Sequence, residues 1–387
     1  MINPPVYDLR NPFPWYAHMR KHQPIWQEQA STWHVFRHDD VLRVLSDYEH
    51  FSSQRGEAND PNRPISSSLI SMDPPRHRQL RTLVSQAFTP RAIANLTARI
   101  EEISNSLLDD FQGQTHLDIV ESLTYPLPVI VIAELLGVPS DERDRFKMWS
   151  DAVIAGSRQL ASGEVLSFED AQMEMVQYFS QLVAERKKTP KADLISDLLR
   201  VKVDGESLSM AEILGFCVLL LVAGNETTTN LLSNALYTLH EIPSLWPYLA
   251  EQPDERLAAF VEEVLRFRAP IQHMYRTTTC DVELSGVPVP AGSRMVAWIG
   301  SANRDEAVYE QPETFQVNRK SRHLAFGHGI HFCLGAPLAR LEAELALKQL
   351  LRRYTSIAIP DVDASEPVPT SLVYGFHKME VQLTPLP

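Results

Sequence analysis

The stretch Phe326-Gly327-His328-Gly329-Ile330-His331-Phe332-Cys333-Leu334-Gly335 decides how the rest of the chain is read. Glycine tolerates positive φ, so Gly327 and Gly329 permit a tight turn that residues with a Cβ resist. Cys333 ends that turn, and Pro337 suits the first turn of a helix that follows. The turn therefore presents one thiol just ahead of a helix N-terminus, where the dipole favours thiolate over thiol. Three uses stand open for that sulfur: packing in a core, binding zinc with His331 and His328, or serving as axial ligand to a haem iron. A zinc site ordinarily takes more sulfur or histidine than this turn offers.

Outward from the turn, the other cysteines, Cys217 and Cys280, lie far away. Three scattered thiols make no disulfide framework, so a reducing, cytoplasmic setting is expected. The 387 residues show no linker, repeat or low-complexity tract, and one domain over 1–387 is expected. A formal charge of −13, from 36 basic and 49 acidic residues, argues against nucleic acid held on a generally basic surface. Met1-Ile2-Asn3-Pro4-Pro5 has neither a signal core nor a membrane anchor.

Helical patterns cover 91–111, 129–136, 141–155, 167–187 and 193–200, and Asp39 or Asp40 caps a short helix reaching Ser46. Short β-prone pieces fall at 25–27, 32–36, 277–284 and 295–299. The tract 51–69 reads as a long loop and 156–166 as a mobile lid. Ser209-Met210-Ala211-Glu212 is a capping box opening a helix to about Glu241. Its middle, Phe216 to Ala223, is apolar all round and expected to be buried, though too short by itself to span a bilayer. Polar residues then appear abruptly, as Gly224-Asn225-Glu226-Thr227-Thr228-Thr229, where an unsatisfied charge is costly. Elsewhere His77 and Arg81 share one helical face, as do Glu263 and Arg266.

The pattern F-G-x-G-x-H-x-C-x-G ending at Gly335 resembles the haem-ligand loop of soluble bacterial cytochromes P450. Ala223 to Thr228 resembles that family's A-G-x-[DE]-T-T groove, and Glu263 to Arg266 its E-x-x-R. The resemblance implies a mainly α fold with small β-sheets (α+β), a single large domain with haem b (iron protoporphyrin IX) between a long central helix and the cysteine loop. Cys333 is then the iron ligand, flanked by Phe326 and Gly335. Gly224 lets O₂ approach, Thr227 hydrogen-bonds the oxygen being activated, and Glu226 relays protons from solvent. His77, Arg81, Arg276 and His331 hold the propionates, and Ile271 to Met274 line the pocket. The terminal segment, 373–383, is expected to be a hairpin whose tip reaches substrate.

Glu263 and Arg266 are expected to brace the segment before the cysteine loop. Thr314 departs from the family, since many members carry arginine there to complete the brace, and Arg319 is the candidate replacement. The implied activity is a monooxygenase using O₂ and electrons from NAD(P)H by way of a ferredoxin-type donor on a small lipophilic substrate. Arg76 and Arg78 are candidates for a basic patch that docks the donor, and a monomer without membrane anchor is expected. A peroxide-driven enzyme and a haem protein without turnover are the alternatives.

Overall fold

The computed structural model describes residues 7–387 apart from 30, 55–67, 140–141, 143–144, 147, 150–151, 153–156, 160–164, 201, 204 and 321. Its longest element is the helix Met210–Glu241. The capping box forms: Ser209 N–H donates to Glu212 Oε2 at 2.9 Å, and Glu212 N–H donates to Ser209 Oγ at 3.2 Å. Glu212 also takes Arg76, whose Nε reaches Oε1 at 2.7 Å. That pairing engages Arg76, whose side chain stays 37% exposed. Arg78, the other member of the expected basic patch, is exposed.

The apolar middle of this helix is not covered all round. Cys217, Val218 and Leu221 are buried, Leu219 and Val222 are half-buried, and Ala223 is exposed. Leu219, Ala223 and Thr227 lie four apart, so the less covered positions form a stripe along one face. By length and composition the helix could cross a membrane, with 56% of the qualifying window buried within the protein. Its second half carries fully buried Asn230 and Asn234 with protein partners. Such groups mark a core helix whose polar residues are matched by the fold around them.

Backbone proximity divides the chain into two compact units: Met1–Ser52 with Arg99–Thr124 and Thr227–Pro387, and Ser53–Ala98 with Tyr125–Glu226. The division falls inside the long helix, between Glu226 and Thr227, so no linker announces it in the sequence.

The first unit is built on a five-stranded sheet in the order Ile25–Gln29, Thr32–Val35, Arg294–Trp298, His273–Thr278, Phe51–Ser52. Thr32–Val35 and Arg294–Trp298 run parallel, and the other pairs are antiparallel. Side chains alternate across a strand. Met295 and Ala297 accordingly pack with Trp33, Val35 and the helix His38–Ser46. Val296 and Trp298 pack on the other face with Trp15, Tyr16 and Met19 of the helix Phe13–His22.

Several local expectations shift. Asp39 and Asp40 lie in the first turn of His38–Ser46 rather than at its cap, because Asp305 Oδ2 accepts the His38 N–H at 2.8 Å from far along the chain. The 91–111 helix breaks into Pro90–Ala94 and Thr97–Asp110. Residues 373–383 are no hairpin: Phe376–Lys378 pairs with Glu366–Pro367, and Glu380–Pro385 lies between Tyr354–Ala358 and His116–Asp118. Alternation identifies a strand but not its partner.

The second unit comprises the helices Arg76–Val84, Pro126–Leu136, Phe168–Lys188 and Leu194–Arg200 with the first half of the long helix. Gly137 ends Pro126–Leu136 at φ 77°, and a Cβ there would fall 2.2 Å from Asp193 Oδ2. Arg186 pairs with that aspartate and donates to Gly137 O at 2.7 Å. Within the expected lid, Ser157–Gln159 pairs antiparallel with Val165–Ser167, so its ends are strands. Residues 160–164 lie outside the described residues, as do 55–67 of the expected loop and much of 141–155.

Candidate active site

The cysteine turn has the shape its glycines allow. Gly327 and Gly329 take φ of 70° and 69°. A Cβ on Gly329 would lie 2.9 Å from Ser46 Cα, so the turn rests backbone-to-backbone on the helix His38–Ser46. Cys333 N–H closes the turn by donating to Phe326 O at 2.9 Å. Three residues on, the helix Ala336–Leu351 begins with Pro337 in its first turn.

Cys333 is in no disulfide and is half-buried. Cys217 is sealed in the core, where burial pushes its thiol far above the ordinary range, and Cys280 is exposed. Among the described residues no three His, Cys, Asp or Glu side chains gather as a metal-binding group, so the zinc use of Cys333 with His331 and His328 finds no support there. A half-buried sulfur just ahead of a helix N-terminus is where the dipole favours thiolate over thiol.

Two adjacent glutamates brace this turn. Glu263 takes both Nε and Nη2 of Arg266 at 2.8 Å, the side chains being 3% and 1% exposed. Arg266 Nη1 donates to Asn303 O and Pro312 O, each at 3.0 Å. Arg319 Nε reaches Glu263 Oε1 at 3.1 Å, while its other nitrogens donate to Glu310 O, Gln311 O and Thr314 O. Arg319 therefore completes the brace, and position 314 contributes its carbonyl instead of a side chain.

Glu262, one residue earlier, faces the other way. Its carboxylate receives Arg340 Nε at 2.5 Å and Nη2 at 3.0 Å, and lies 3.2 Å from His323 Nε2. Burial alone would raise this carboxyl, but the hydrogen bonds from His323 and Arg340 outweigh it and bring it down to about 2. Arg340 in turn sits 4.5 Å above the Phe326 ring. One helix, Pro253–Phe267, thus holds both the approach to the turn and the helix that leaves it. Glu262 carried no motif, and only the fork geometry reveals it.

The remaining candidates sit as follows. In the first unit, Thr227 is half-buried, His331 is half-buried two residues before Cys333, Gly335 precedes the helix, and Arg276 is 5% exposed on its strand. Arg276 Nη1 donates to Tyr275 O at 2.7 Å. In the second unit, His77 is buried and Arg81 half-buried on Arg76–Val84, four apart as expected. Glu226 is buried, and Asn225 Nδ2 donates to Tyr125 Oη at 3.2 Å. A Cβ on Gly224 would lie 2.7 Å from Ile132 Cδ1, so a larger residue there would make the Ile132 side chain shift. Sequence reading missed Asn230 and Asn234, though amides four apart in an apolar helix were a usable signal.

Comparison with known proteins agrees with this geometry. The family described as Cytochrome P450 matches residues 16–252 and 255–384. A putative cytochrome P450 of Bacillus subtilis, YjiB, is 42% identical over 382 residues, covering 97% of this chain and 95% of its own. The erythromycin C-12 hydroxylase of Saccharopolyspora erythraea is 43% identical over 350 residues, covering 89% and 87%. Among solved structures, CYP109E1 of Bacillus megaterium in complex with testosterone is similar with TM-score 0.88 at 41% identity, covering 97% of this chain and 98% of that one. The mainly helical fold with small sheets is theirs, and the chain belongs to the cytochrome P450 family of oxidoreductases.

Proposed function

We propose that the protein is a cytoplasmic haem b monooxygenase that inserts one atom of O₂ into a small lipophilic substrate. The observation that carries this reading is the half-buried Cys333, the one cysteine of the turn 326–335, set just ahead of a helix N-terminus. Haem, when bound, supplies the oxygen-activating redox chemistry, and the protein supplies position, protons and exclusion of water. Cys333 ligates the iron, with Phe326 and Gly335 shaping the turn around it. His77, Arg81, Arg276 and His331 offer cationic or N–H donors to the propionates, contacts of the charge-assisted kind. Thr227 holds a proton at its hydroxyl and passes it on, and Glu226 supplies it. Gly224 keeps the helix free of a side chain at that turn.

A neighbouring structure that holds testosterone, and a relative named for erythromycin hydroxylation, favour a steroid or macrolide-like compound of secondary metabolism as substrate. The accessible apolar stripe of Leu219, Val222 and Ala223 suits such a ligand. Electrons come from NAD(P)H through a ferredoxin-type donor to a monomeric acceptor. In the test, purified protein is reduced under carbon monoxide, then supplied with NADPH, ferredoxin, its reductase and testosterone. A thiolate-type carbon monoxide band with hydroxylated product is expected. A histidine-type band would end the reading. Thr227→Ala is expected to keep the band and to oxidise NADPH with less product.

A further inference from the structure

Four histidines rest on a carboxylate: His34 on Glu28, His38 on Asp39, His50 on Asp47 and His323 on Glu262, at 2.8–3.2 Å. His18 faces a second imidazole instead. It lies on the helix Phe13–His22 four residues before His22, a spacing that brings both side chains to one face. The ring centroids are 4.7 Å apart and the ring planes cross at 45°, so the rings neither stack nor meet edge-on. His18 Nε2 is buried and has no hydrogen-bond partner among the described residues, a costly condition for a polar atom.

The packing of this helix is carried by other residues. Trp15, Tyr16 and Met19 pack with Val296 and Trp298, and Arg20 donates to Ser301 O and to Glu306. His18 is half-buried and His22 exposed, which leaves the pair within reach of a hydrated ion. A metal ion held by two imidazoles at about 2.0–2.1 Å, with an angle between right and tetrahedral, sets the ring centroids about 4.5–5.2 Å apart. The observed spacing falls inside that range. His22 is the last residue of the helix, whose carbonyl end favours positive charge. Being exposed, it can change rotamer at little cost and admit an ion beside His18. No third His, Cys, Asp or Glu joins the pair among the described residues, so water fills the other coordination positions.

We propose that His18 and His22 form a two-imidazole site for a divalent ion of the nickel, copper and zinc class, ions that imidazole suits. An ion there staples the last turn of the helix to the turn before it. The proposal does not depend on the haem reading of Cys333.

The test uses the full, haem-loaded chain, freed of metal by a chelator and titrated with nickel(II) chloride, beside His18→Gln, His22→Gln and the control His50→Gln. Calorimetry is expected to show a tight class of one ion per chain. Affinity should fall about tenfold or more in the first two variants, since each loses the second ligand of a chelate, and stay within about twofold in the third. Amide exchange of residues 16–23 should slow when nickel is added to the unsubstituted chain and stay as it was in His22→Gln. Unaltered affinity in His22→Gln, or slowing confined to other segments, overturns the proposal. Because His22 is exposed, His22→Gln keeps the fold and decides the matter should His18→Gln fail to fold. A nickel-induced change in the thiolate-type carbon monoxide band, with exchange at 16–23 unmoved, would put the ion at Cys333 and overturn it equally.

Discussion

The proposed function places the iron ligand at Cys333, and replacing that residue separates two roles. Cys333→Ser removes the only sulfur of the turn while keeping its size, so the fold should survive and the thiolate-type carbon monoxide band should vanish; absorbance of the reduced adduct checks it. Glu342 is a different kind of residue. It is 1% exposed on the helix Ala336–Leu351, its Oε2 lacks a hydrogen-bond partner, and burial pushes its carboxyl up to about 8. It is therefore protonated in the folded protein at neutral pH and ionised once unfolded. The unfolded state binds fewer protons between roughly pH 4.5 and 8, so this group lowers stability as pH rises across that window. Glu342→Gln should remove a slope of about 1.4 kcal/mol per pH unit, read from urea unfolding at a series of pH values.

At the scale of elements, the helix Pro253–Phe267 acts as a two-sided clamp through Glu262 and Glu263. The Glu263 side is the more buried, so losing a partner there leaves more charge uncompensated. Arg266→Ala should cost about 3–5 kcal/mol. Arg319→Ala leaves the bidentate Arg266 pair in place and should cost less, about 2–3 kcal/mol. Denaturation midpoints and haem content of the two variants check the order, and a silent Arg319→Ala would show that Glu263 needs no third partner. Lysine at 319 should not rescue, because a point charge cannot reach Glu263 and three carbonyls together as the planar fork does.

For the molecule as a whole, acid stability draws on a buried histidine as well as on the lowered Glu262 carboxyl. His273 is 2% exposed, and its value falls to about 3, first from burial and then from the charges of His34 and Arg294. The unfolded chain takes up this proton near pH 6.5 and the folded one does not. Stability from His273 is complete above that pH and drains away as pH falls toward 3, opposite in sign to Glu342. His273→Gln should flatten the acid limb of the pH–stability curve and leave the alkaline limb unchanged.

Much of this was legible in the chain itself. The capping box at Ser209, the turn around Cys333 and the break at Gly137 depend on neighbours within a few residues, and local chemistry dictates them whatever else the chain does. Partnerships across the chain were not legible. Asp305 taking the His38 N–H where Asp39 or Asp40 was the expected cap, Arg319 standing in for the side chain absent at 314, Glu262 gripping Arg340, and the asparagine rungs under Tyr374 and Phe376 all join residues remote in sequence. Backbone propensity carries no record of which distant group will satisfy a buried charge or amide. That choice is made only when packing excludes water and leaves each polar atom to find its partner within the protein.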